Sequence, residues 1–186
     1  MTRRASFLRR LLTPVLARGR GFARDERGVT AIEFGILAIP FFTIIFATIE
    51  TAMVFFAGQV LDSAVEDASR IVKTGQARDF SIDSFRSYMC GYTFGLIDCD
   101  KILIKVAAVG SFSAADPNPT VQTCTETECT WALTDVFEPG SRRQVIQVSA
   151  YYRWPLIFDV PYFSLRNQPD NYRLLAATRV FRNEPF

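Results

Sequence analysis

Histidine is absent from the 186-residue chain. Its absence removes the side chain most used for proton transfer near neutral pH, every Ser-His or Cys-His nucleophile pair, and every His-containing zinc site. Tryptophan (two), methionine (three) and cysteine (four) are scarce. G-x-S-x-G, Walker and G-x-G-x-x-G motifs are missing too, which leaves no nucleophile elbow and no phosphate-cradling loop. The Asp98-x-Asp100 pair reads as a solvated turn, and no serine is singled out to partner Lys73, Lys101 or Lys105 in a Ser-Lys dyad. The expectation is a protein that is not an enzyme and takes no metal or cofactor. With 49% hydrophobic and 22% charged residues the composition is globular, and the length suits one ordinary domain with an appendage.

Acidic side chains are few at the amino end. Residues 1–28 hold eight arginines against Asp25 and Glu26, a balance of +6, while the other 158 residues stand at −4. Beyond Gly28 charge nearly vanishes: from Val29 to Val60 only Glu33 and Glu50 are charged. A spanning helix needs about 20 apolar residues, so this run is long enough to cross a bilayer. Phe34, Phe41, Phe42, Phe46, Phe55 and Phe56 fall all round the helix and leave no polar face. Arginines flank one side only, which by the positive-inside rule predicts a single pass with the amino end cytoplasmic. Ahead of such a helix they set topology and meet anionic lipid; nucleic acid is not expected as a partner. Two other export signals fit less well. A twin-arginine signal at Arg3-Arg4 has one residue too many before Phe7-Leu8, and a secretory signal cut near Ala57-Gly58 has an apolar run about twice the usual length.

Glu33 and Glu50 are about 25 Å apart along a helix, so each could sit near one interface of a ~30 Å hydrocarbon layer. A carboxylate there costs a few kcal/mol and calls for a shallow position or a partner. Pro40 removes one helical hydrogen bond and kinks the helix.

Past the apolar run, Val60, Leu61, Ala64, Val65, Ala68, Ile71 and Val72 recur at three and four residues, so the helix is expected to continue to Lys73 and stop at Gly75. A second helix is predicted over Ser81 to Met89, capped by Ser81 with Asp83 in its first turn. Strands are expected at Lys101–Val109, Arg143–Tyr152 and Tyr172–Phe181, with loops at Ala114–Thr120, Glu138–Gly140 and Leu165–Asp170. The fold class is α+β: a long N-terminal transmembrane helix continuing into an amphipathic helix, packed against a small antiparallel β-sheet head. Cys90, Cys99, Cys124 and Cys129 all fall in this extracytoplasmic part, where disulfides persist. Three pairings are possible, of which Cys90–Cys99 with Cys124–Cys129 is the simplest. Neither spacing suits zinc.

The junction Arg27-Gly28-Val29-Thr30-Ala31-Ile32-Glu33-Phe34 has a basic leader, then Gly, with Glu five and Phe six places after it. It resembles the processing site of type IV prepilins. With Pro40 seven residues after Glu33 and a Phe/Ile-rich run ending in Ile49-Glu50, it is similar to TadE-like proteins, minor pseudopilins of the Flp/Tad (tight adherence) pilus system. The resemblance implies cleavage between Gly28 and Val29 by a prepilin peptidase. It also implies contact with other pilins or pseudopilins and with Tad inner-membrane assembly proteins, through Glu33, Phe34, Pro40 and Glu50. The expected organisation is a cytoplasmic leader (1–28), a helix in the inner membrane lipid (29–57) and a periplasmic head (58–186), the whole acting as a structural or assembly component of the pilus. The alternatives are an uncleaved single-pass binding or sensory protein and an exported Ser-Lys hydrolase.

Overall fold

The computed structural model describes residues 28–116, 122–125, 128–158, 164–169 and 171–186. The chain divides into two compact units, Met1–Ile45 and Phe46–Phe186. Apart from Gly28, the expected leader lies outside the described residues.

Helix α1 is Val29–Lys73, an apolar stretch whose only proline is Pro40. Its buried face begins at Glu50 and Val54 and runs through Ala57, Leu61, Ala64, Val65, Ala68, Ile71 and Val72. That three-and-four spacing is the amphipathic repeat expected from the sequence. The helix stops where predicted, with Arg70 and Lys73 in the last turn and Gly75 at φ +78°. A Cβ at Gly75 would lie 2.6 Å from the Phe186 ring. Gly75→Ala therefore meets both a left-handed backbone and a clash, and a loss of about 1–2 kcal/mol is expected from the backbone alone. Thermal unfolding of the detergent-solubilised protein measures it; an unchanged midpoint would mean that the Phe186 ring moves aside and the turn relaxes.

Helix α2, Ile82–Cys90, is capped by the Ser81 side chain, which accepts from Ser84 N–H at 3.2 Å. It buries Phe85 and Met89. A single 3₁₀ turn, Cys99–Lys101, leads into strand β1, Leu103–Val109. Another, Phe112–Ala114, opens the expected loop, whose residues 117–120 lie outside the described residues, as does Asp170 of the later one. Two short strands, β2 (Gln122–Cys124) and β3 (Cys129–Trp131), pair as a separate antiparallel ribbon. Strands β4 (Val136–Phe137), β5 (Val145–Pro155) and β6 (Tyr172–Arg182) complete a four-stranded sheet in the order β4-β1-β5-β6.

The three expected strands form its antiparallel centre, β1 on β5 and β5 on β6. The sheet as a whole is mixed rather than antiparallel, because β4 returns beside β1 in the same direction, pairing Lys105 with Val136 and Val106 with Phe137. Asp135 fixes this return: its Oδ1 accepts from Ile104 N–H at 2.8 Å while its other oxygen takes the Arg86 guanidinium. Strand β5 starts at Val145 rather than Arg143, whose φ of +61° belongs to a turn. It also runs on through Trp154 and Pro155, beyond the predicted end. The β1 ladder stops at Tyr151, so Pro155 has a partner on one side only and its missing N–H disrupts no second ladder.

Even-numbered residues of β5 face the helix, and Ile104, Val106, Ile146, Val148, Ala150 and Leu175 join the buried face of α1 in one core. Leu103 and Tyr151 form a smaller cluster with Trp131, Leu133 and Leu174.

Candidate functional site

The amino-terminal part of α1 is exposed apolar surface. Its most apolar 18-residue window has none of its residues buried, so it is not the core helix of a globular unit. Length and composition make it the one candidate membrane span among the described residues. Two hydroxyls of α1 turn inward on the helix: Thr43 donates to the Ile39 carbonyl at 2.8 Å and Thr51 to the Ala47 carbonyl at 2.7 Å. Such back-bonding satisfies these hydroxyls without water.

Gly28 sits one residue before the helix, exposed, with nothing within 4 Å of where a Cβ would stand. Its φ is not among the positive ones, so neither packing nor backbone requires glycine there. Val29, Glu33 and Phe34 follow on the exposed first turns, and Pro40 lies inside the helix. Glu33 makes no hydrogen bond or ion pair among the described residues.

Glu50 is buried and belongs to the second unit. Its Oε1 accepts from the backbone N–H of Ile157 at 2.5 Å and of Phe158 at 3.0 Å. One helical turn earlier, the Phe46 ring stacks on Phe158 with centroids 5.3 Å apart. Farther along, Arg179 of β6 donates through both terminal nitrogens to Asp62, at 2.9 and 2.6 Å, and through Nε to Glu66. The two carboxylates are one helical turn apart, so a single guanidinium clamps α1 to the edge strand. Sequence reasoning passed over Arg179, Ile157 and Phe158; the apolar run Leu156-Ile157-Phe158 after Pro155 was the one available signal for the last two.

The perturbed groups all move away from neutrality. Hydrogen bonds to Asp62 and Glu66 hold Arg179 above the ordinary guanidinium range. The bond between Lys101 and Asp98 raises the amine and lowers the carboxyl. Tyr151 is raised by burial and Tyr88 by its bond to Tyr92.

Disulfides join Cys90 to Cys99 and Cys124 to Cys129, the simplest of the three pairings. The first ties the end of α2 to the turn before β1, and the second closes the β2–β3 ribbon. Among the described residues no group of three or more His, Cys, Asp or Glu side chains is placed to hold a metal ion.

An α+β head that includes the carboxyl half of a long helix, and an apolar amino half long enough to cross a bilayer, are consistent with a membrane-anchored protein. The family model described as TadE-like protein matches residues 28–70. The segment that carries the prepilin-type motif is thus TadE-like, and with the apolar helix it fits a membrane-anchored component of a Tad pilus. No curated protein and no solved structure matches the chain.

Proposed function

We propose that the protein is a minor pseudopilin-like structural or assembly component of a Flp/Tad pilus, cut between Gly28 and Val29 by a prepilin peptidase and held in the inner membrane by α1 with its head in the periplasm. The observation that carries this reading is the coincidence at Gly28. The TadE-like match begins there, α1 begins one residue later, and the exposed Glu33, which has no partner among the described residues, follows at prepilin spacing. Two disulfides in the head support an oxidising compartment. A secretory cut near Ala57-Gly58 is disfavoured because it would remove Val54 and Ala57 from the core and Glu50 from its bonds to the head. Partners in this reading are the peptidase, other pilins or pseudopilins, Tad inner-membrane assembly proteins and bilayer lipid.

The test is the N-terminal mass of the membrane-extracted protein, expressed with and without a Flp-type prepilin peptidase. A chain beginning at Val29 only with the peptidase is expected. An intact Met1 leader would move the reading to an anchored binding or sensory protein, and a start near Gln59 to a secreted one. Gly28→Val should abolish processing while leaving the unfolding midpoint of the head unchanged, because a Cβ there meets nothing within 4 Å among the described residues. Processing at a normal rate would show that no enzyme reads Gly28.

A further inference from the structure

The corner after β5 has its polarity reversed. Glu50, a carboxylic acid, is 8% exposed, whereas Ile157, whose backbone N–H bonds to it, is 80% exposed. In water the opposite arrangement is favoured, since burying an acid costs free energy and burying an isoleucine gains about 1.5–3 kcal/mol. The backbone is dressed in the same sense. Leu156 N–H donates to the Asn171 carbonyl at 2.7 Å, and the next two N–H groups both donate to Glu50. Three successive amides of this corner are satisfied within the protein, and the side chains it exposes, Ile157 and Phe158, are hydrocarbon. Water does not demand this, but a medium without hydrogen-bonding partners does.

Height along α1 points to the same medium. At about 1.5 Å per residue, Val29 to Glu50 is about 32 Å of helix, one hydrocarbon thickness. Exposed apolar side chains continue past Glu50 at Met53, Phe55 and Phe56, which carries the uncovered surface about 9 Å farther. The corner therefore stands at the level of an apolar band rather than above it. Phe158 reaches one turn lower still, where it stacks on Phe46 and makes the corner continuous with the surface of the span.

We propose that the corner Leu156–Phe158 is immersed in the bilayer leaflet on the head side, where Ile157 and Phe158 contact lipid acyl chains as a second membrane attachment. Glu50 makes the immersion possible by accepting from two of the corner's three amides, those of Ile157 and Phe158, through one of its oxygens. The proposal rests on the reading of α1 as a membrane span.

The test uses the full chain reconstituted in nanodiscs of phosphatidylethanolamine and phosphatidylglycerol. Among the described residues all four cysteines are in disulfides, so a single introduced cysteine takes a spin label selectively. Labels are placed by Ile157→Cys at the corner, by Ile44→Cys on the exposed span, and by Ser113→Cys on an exposed turn beyond the far end of β1. All three sites are exposed, and each variant is first shown to unfold at the parent's temperature. The ratio of collision with oxygen to collision with a water-soluble nickel chelate is expected to be several-fold higher at 157 and 44 than at 113. A ratio at 157 equal to that at 113, with 44 still high, overturns the immersed corner and leaves the span standing. A low ratio at 44 overturns the span, and this proposal with it.

Discussion

Glu33→Ala is expected to be processed to Val29 as fully as the parent chain and to incorporate into filaments about 10- to 100-fold less. The range is one lost charge-assisted hydrogen bond, about 1.5–3 kcal/mol, converted at 1.4 kcal/mol per tenfold. Glu33 has no partner among the described residues, although a carboxylate in a membrane-spanning helix costs several kcal/mol when unpaired. Cleavage after Gly28 would create a cationic α-amine on Val29 about 6 Å along the helix, a charge the uncut chain lacks. Paired with the amine of a neighbouring subunit, the acid would set axial register on assembly. Alanine makes the span more apolar, so membrane insertion is retained and the defect isolates pairing. The check is the mutant's amount in sheared filaments against its amount, with N-terminal mass, in membranes. Normal incorporation of the cleaved mutant would end the register role.

Phe85→Ala should destabilise the head by about 3–5 kcal/mol, a large share of the 5–15 kcal/mol that holds a typical domain together. The ring is fully buried and lies 4.9 Å from that of Phe137, so alanine leaves a cavity between α2 and the two-residue strand β4. Little else is positioned to collapse into it. Arg86, the next residue, is tied to the carbonyls of Cys99 and Ile102 and to Asp135, and the Cys90–Cys99 bridge fixes the far end of the helix. At about 2–4 °C per kcal/mol the expected fall in midpoint is roughly 6–20 °C, read by thermal unfolding in detergent. A fall of a degree or two would mean that α2 rests loosely on the sheet. Glu33→Ala should leave this midpoint unmoved, which separates assembly from folding.

The elements that the sequence made legible are those decided by neighbours in the chain. The apolar run and the three-and-four repeat placed α1 through Lys73, Gly75 marked its end, and Ser81 marked the start of α2. Alternation and β-branching located the three long strands, and short loops favoured the two local disulfides. At the candidate site, Gly28, Glu33, Phe34 and Pro40 are proposed from spacing along the chain, and their roles rest on the processing and filament experiments.

What the sequence left open depends on partners far along the chain. Strand β4 has two residues and β2 and β3 have three each, too few to show a period, and they exist because β1 and the Cys124–Cys129 closure offer them a partner. Pro155 reads as a strand breaker until the ladder shows its second side unpaired. Glu50 looked like an interfacial acid, but sheet register brings it the amides of residues more than 100 positions later, and the same register delivers Arg179 to Asp62 and Glu66. Periodicity, capping and charge asymmetry by themselves determined the helix, its apolar half and the motif at its start. Only the tertiary structure decided where Glu50 and Arg179 go, because hydrogen bonds across that distance follow from how the strands align and not from any local preference of the residues that make them.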